Sequence, residues 1–339
     1  MKGSWFLRQF TGLLVIVACV SCASLSGNRN KKKEPPEITH EMPLSDAIEA
    51  GMEHGEVTLN KVIRLIKIRK QWAVAGDILF DSIKNNYQSW PSVRLINAAQ
   101  LYELSAHSKS DELFYLLSFS ERHLIQQLAW HLAGSRPSKQ MAEKIEERLT
   151  VAIDTNELKE IYWPGMADAV AANMLKSSYT VVRQGLFENN HIAFAKAMIA
   201  LNPSGATDDF LDYLSLASLE ELRQLSLNSV DVFTCVEILK HLKNFPPSVS
   251  HRKFTHLFYY AISRNTALAE MARSILEDYF PGQNSMLAQM LSRLPNWVQI
   301  AFVEGSRRQM TPKLSLFLKE LKGTTSQKEV VEEIDHVVR

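Results

Sequence analysis

From Leu44 onward the apolar positions recur with the period of an α-helix. Leu124, Ile125, Leu128, Ala129 and Leu132 fall at i, i+1, i+4, i+5 and i+8. Met141, Ile145 and Leu149 keep a four-residue step, and Leu268, Met271, Ala272, Ile275, Leu276 and Tyr279 hold one face over three turns. Such one-sided stripes, separated by polar residues, predict amphipathic helices. Start signals accompany them: Ser218 with Glu221, and Ser326 with Glu329, have the spacing of capping boxes. No Asn-Gly or Asp-Gly pair occurs, so the strongest hairpin signals are missing. The pattern predicts an all-α body.

Prolines punctuate that body. Pro91, Pro137, Pro164, Pro203, Pro246, Pro281 and Pro312 are spaced 27 to 46 residues apart, and each is expected in a break between two apolar helical segments. Proline suits a helix start, where its missing N–H has no intrahelical partner to lose. Pro295 falls outside this spacing. A helix–turn–helix unit of this length resembles a degenerate HEAT-type repeat. The resemblance implies a right-handed α-solenoid of about seven units over residues 44–322. The alternative is an irregular globular helical domain whose prolines only mark loops. The tetratricopeptide pattern of Trp, Leu-Gly and Tyr is absent. Residues 323–339 begin polar and carry a stripe of Val330, Val331, Ile334, Val337 and Val338. They read as a tail or a helix that closes the last repeat, a requirement of stacked repeats.

The N-terminus follows another pattern. Lys2 and Arg8 precede an apolar run of about a dozen residues, the length of a signal-peptide core and short of the roughly 20 that span a bilayer. The run ends in Ile16-Val17-Ala18-Cys19, which resembles the lipobox of bacterial lipoproteins. That resemblance implies diacylglycerol on the Cys19 thiol, cleavage by signal peptidase II after residue 18, and palmitate-type acylation of the new terminus. Cys22, preceded by Cys19-Val20-Ser21, is the weaker alternative. An uncleaved signal anchor and an ordinary cleaved signal are the other readings. Neither Val20 nor Ala23 is the aspartate that retains enteric-type lipoproteins in the inner membrane, so the resemblance implies the periplasmic face of an outer membrane. Residues 19–43 then form a lipidated N-terminus and flexible tether. The stretch has few apolar side chains and contains Lys31-Lys32-Lys33 and Pro35-Pro36. It reads as a spacer, or as one whose lysines touch anionic lipid or a partner.

Composition narrows the function. With 46% hydrophobic residues, the chain of 339 can bury a substantial core. Lys and Arg number 38 against 37 acidic residues, without the basic excess of a nucleic-acid binder. Only Cys235 lies in the body. It reads as a small core hydrophobe, with no partner for a disulfide except Cys22.

Candidate chemistry is sparse. His123 and His131 are two helical turns apart, and His251 and His256 are five residues apart; neither spacing gives a shared metal face. Gly305-Ser306 lacks the second glycine of a nucleophile elbow. There is no phosphate loop and no expected cofactor. Glu304 is the best available acid for a wall-cleaving enzyme, but it stands alone. Trp72, Trp90, Trp130, Trp163 and Trp297 are spread along the body, and Phe258, Tyr259 and Tyr260 are consecutive. Successive helical residues turn about 100°, so at least one of these three rings is expected at a groove or interface. The three are the partner-binding candidates. The sequence therefore points to a non-enzymatic, membrane-anchored periplasmic scaffold, bound to other envelope proteins, such as a component of a secretion or other trans-envelope complex. A carrier of lipid or another hydrophobic ligand, and a cell-wall enzyme, are the alternatives.

Overall fold

The computed structural model describes residues 35–224 and 227–338. Cys19, Cys22 and Lys31 to Lys33 lie outside the described residues. Those described are all-α: nineteen α-helices and two short 3-10 turns, with no strand among them. They fall into two compact units that divide at Pro137.

The first unit contains α1 (Leu44–Glu53), α2 (Glu56–Arg69), α3 (Trp72–Asn86), α4 (Ser92–Ser105), α5 (Ser110–Ser118) and α6 (His123–Ser135). Consecutive pairs pack together, and beyond them α4 lies against both α1 and α6 while α3 lies against α5. Helices thus stack in two rows, as helical repeats do. Trp130 and Phe114, both fully buried, meet edge to face at 5.0 Å and join α6 to α5.

The second unit begins with α7 (Lys139–Asp154), α8 (Leu158–Ile161), α9 (Pro164–Ala172), α10 (Tyr179–Asn189), α11 (Ile192–Leu201) and α12 (Ala206–Leu214). It continues with α13 (Leu219–Leu222), α14 (Val232–Asn244), α15 (His256–Ala261), α16 (Thr266–Ser292), α17 (Asn296–Ser306), α18 (Pro312–Thr324) and α19 (Lys328–Val337). One row runs α9, α11, α14, α16, α18, and a second runs α13, α15, α17, α19. Four phenylalanines tie the rows. Phe258 meets Phe302 at 5.6 Å, Phe302 meets Phe317 at 5.9 Å, and Phe317 stacks on Phe280 at 4.3 Å. They come from α15, α17, α18 and α16, so one aromatic chain holds four helices.

Polar ties repeat at the interval of the helix pairs. Asn97 donates to the Met52 carbonyl at 3.1 Å, 45 residues back. One Arg122 nitrogen donates to the carbonyls of Tyr87, Gln88 and Trp90 at 3.1, 2.9 and 2.9 Å. His241 donates to the Pro203 carbonyl at 2.7 Å, 38 residues away. Arg273 donates to the Gly305 carbonyl at 2.9 Å, 32 residues on. Each tie satisfies a carbonyl that a helix end or turn leaves without an intrahelical partner.

The seven prolines stand at or beside breaks in the helical pattern. Pro91 precedes α4, Pro164 and Pro312 open α9 and α18, and Pro137, Pro203 and Pro246 lie in connections. Pro281 also marks a break: it stands two residues before the point at which α16 divides into two helical segments. The backbone leaves the helix at Gln283, with φ −137° and ψ 21°, so 266–292 is two helical segments joined at a kink. A proline without an N–H followed by glycine weakens the ladder enough for a kink, and the element packs on α14 and α18.

The capping boxes also divide. Ser218 and Glu221 bond reciprocally as expected. Ser326 and Glu329 do not: α19 starts after Gln327, which makes no side-chain cap. Glu329 instead accepts from the Asn296 amide, and Thr325 donates to Gln299 at 2.9 Å. A tertiary partner took the Glu329 carboxylate that a local cap needed.

Candidate partner-binding surface

The consecutive rings of α15 do not share a fate. Phe258 is fully buried in the aromatic chain, and Tyr260 is fully buried beneath α14. The Tyr260 hydroxyl donates to the Leu214 carbonyl at 3.2 Å and lies 3.5 Å from the Cys235 sulfur. Tyr259 is half-buried; its ring meets His256 edge-on at 5.3 Å. Of the three predicted residues, Tyr259 is thus the one that reaches solvent.

Burial governs the chemistry beneath. It pushes the Cys235 thiol up to about 12; the Tyr260 hydrogen bond pulls it down and the Asp231 charge raises it further. Burial likewise holds the Tyr260 hydroxyl well above the ordinary tyrosine range. A thiol so placed stays protonated near neutrality and is a poor nucleophile. His256 is lowered by burial, against a hydrogen bond to the Lys253 carbonyl that favours its charged form.

Helix α15 packs between α13 and α17. Across this row the Arg223 guanidinium, just past α13, stands 4.7 Å from the centre of the Trp297 ring on α17. Trp297 is 38% exposed, and the Arg223 side chain is 55% exposed. Arg223 also pairs with Glu220 at 3.4 Å. An exposed tryptophan held by a stacked arginine combines two residue types that dominate the energetics of protein interfaces. In the sequence Trp297 is one of five tryptophans dispersed along the body, with nothing to distinguish it, and Arg223 carries no signal at all. The two are far apart in the chain and share no periodicity, so no local signal joins them.

The other candidates are dispersed. Glu304 is exposed on α17, and Gly305-Ser306 continues that helix, with the Ser306 hydroxyl donating to the Phe302 carbonyl at 2.7 Å. His131 sits 3.3 Å from Glu103. Burial pushes the Glu103 carboxyl up, but His131, Arg136 and Ser135 outweigh it and leave it below the usual range. That pair borders an apolar cavity of about 30 Å³ lined by Ile83, Leu95, Tyr102, Leu113 and Leu128. The volume matches one water, against the roughly 300–1,000 Å³ of ligand pockets. In the same unit, Tyr102 donates to His107 Nδ1 at 3.1 Å, and His107 Nε2 donates to Asp77 at 2.9 Å. Tyr102 is only 1% exposed, and burial pushes its hydroxyl up to about 12. The relay braces α3 and α4 rather than presenting a reactive oxygen. Among the described residues, no three His, Cys, Asp or Glu side chains are grouped to hold a metal ion. In comparisons with known proteins, no family model, curated protein or solved structure matches the chain.

Proposed function

We propose that this protein is a non-enzymatic, lipid-anchored scaffold of the bacterial envelope that binds other envelope proteins through the helix row α13–α15–α17. The observation that carries this reading is the solvent-facing stack of Arg223 on Trp297. It supplies rigid, amphipathic contact area at small conformational cost, and the helices beneath are fixed by the aromatic chain from Phe258 to Phe280. The lipobox at Cys19 supports anchoring at the periplasmic face of an outer membrane. No helix among the described residues is long and apolar enough to cross a membrane. An anchor confines the scaffold to two dimensions and raises its effective concentration beside membrane-bound partners. A secretion machine or another trans-envelope complex is the setting this combination suits.

The test is gentle detergent extraction of the native membrane, then crosslinking and mass spectrometry on the full chain. The expected result is a reproducible set of envelope proteins crosslinked around Tyr259 and Trp297. Trp297→Ala should lose that set while retaining the wild-type circular dichroism spectrum. A wild-type chain that runs as a free monomer, where known complexes survive extraction, overturns the proposal.

A further inference from the structure

Helix α2 carries a strong positive charge on its outward side. Residues 56–70 contain Lys61, Arg64, Lys67, Arg69 and Lys70 against a single acid, Glu56. Helical spacing places Val57, Lys61, Arg64 and Ile68 in one stripe. All four are exposed, Val57 by 73% and Ile68 by 66%, and Lys67 and Lys70 are exposed beside them. The opposite face, Leu59, Val62, Leu65 and Ile66, is buried. Neighbouring carboxylates do not neutralise the stripe. Glu49 and Glu53 of α1 pair with Arg94, and Asp77 of α3 pairs with His107. Among the described residues no carboxylate stands at ion-pair distance from Lys61, Arg64, Lys67 or Lys70.

The chain arrives at this helix from the anchor side. Arg69 donates to the His40 carbonyl, so the segment that follows the lysine run 31–33 is tied to the basic end of α2. Cations flanked by exposed aliphatic side chains fit one surface above others: anionic headgroups, with apolar groups inserted at the acyl boundary.

We propose that the Val57–Lys61–Arg64–Ile68 face of α2 lies against the anionic phospholipid headgroups of the membrane that holds the anchor. The proposal rests on the lipid-anchor reading given above, and adds a second membrane contact that orients the first helical unit.

The experiment reconstitutes the full chain into vesicles of phosphatidylcholine alone and of phosphatidylcholine with roughly a third phosphatidylglycerol. A water-soluble amine-acylating reagent then reports lysine accessibility by mass spectrometry. Lys61 and Lys67 should react roughly fivefold more slowly on the anionic vesicles, and raised salt should restore them. Lys313 and Lys319, exposed on α18, should react alike on both. The exposed-residue variant K61E/R64E should abolish the protection of Lys67. Equal reactivity of Lys61 and Lys67 on the two vesicle types overturns the proposal, as does protection that the variant retains. The mass of the N-terminal peptide from the same sample reads the anchor separately. An acylated Cys19 with unprotected lysines removes the docking face and keeps the anchor. Protected lysines without acylation keep the docking face and remove the anchor.

Discussion

Gly185 of α10 shows how one missing atom sets a helix contact. A Cβ there would lie 2.3 Å from Cε1 of Phe194, a fully buried ring on α11. Gly185→Ala is expected to cost about 1–3 kcal/mol and lower the melting temperature by several degrees. Gly282→Ala, with nothing within 4 Å of its Cβ, is the matched control and should stay within about 1 kcal/mol of wild type. Ala106 is the converse case. It ends α4 with φ 52°, where an L side chain is strained, so Ala106→Gly should stabilise by about 1 kcal/mol in the same melting assay. Glu221 links a side chain to pH. Slight burial raises its carboxyl, but N–H groups of Ser218, Ser229 and Asn228 and the Ser229 hydroxyl outweigh it and bring it down to about 2. A carboxyl lowered on folding adds stability above its unfolded value near 4.5, and that contribution disappears as pH falls towards about 2. Glu221→Gln should lower urea stability at neutral pH by about 1 kcal/mol, allowing for solvent screening, with the difference closing in strong acid. The sequence pointed to Glu221 through its spacing from Ser218. It could not show Asn228 and Ser229 converging on the same carboxylate, because those bonds need the folded loop.

At the scale of the element, helix stripes decided which side chains turn inward and neighbours decided where helices end. Met141, Ile145 and Leu149, read as one face, are buried together on α7. Leu268, Ala272, Ile275 and Leu276 are likewise buried on α16. The kink at Gln283 was not legible as such: proline signals a break, but whether it becomes a loop or a bend depends on what packs on either side. Arg122 shows the same dependence. Its place before α6 gives no hint that it satisfies three carbonyls of the turn after α3. Arg122→Met, which keeps most of the apolar stem, should cost about 2–3 kcal/mol. Native-state hydrogen exchange should show faster exchange confined to the region between α3 and α4.

At the scale of the whole molecule, attachment and recognition separate. Attachment is expected from a dozen N-terminal residues, and Cys19→Ala should abolish palmitate labelling and move the chain out of the membrane fraction. Label that persists in the mutant assigns the lipid to Cys22. Recognition is expected from side chains brought together over long intervals, above all Arg223 and Trp297. The sequence by itself determined the all-α class and the spacing of helical segments, because a 3.6-residue period and proline chemistry are local properties that survive any arrangement of neighbours. It also set the limit on Phe258, Tyr259 and Tyr260, since three adjacent rings cannot all face one core. Only the tertiary structure decided that Tyr259 is the ring left at the surface, that Cys235 meets Tyr260, and that Arg223 stacks on Trp297. Those outcomes depend on which helix faces which across intervals of tens of residues, and side-chain packing fixes that only when the whole unit closes.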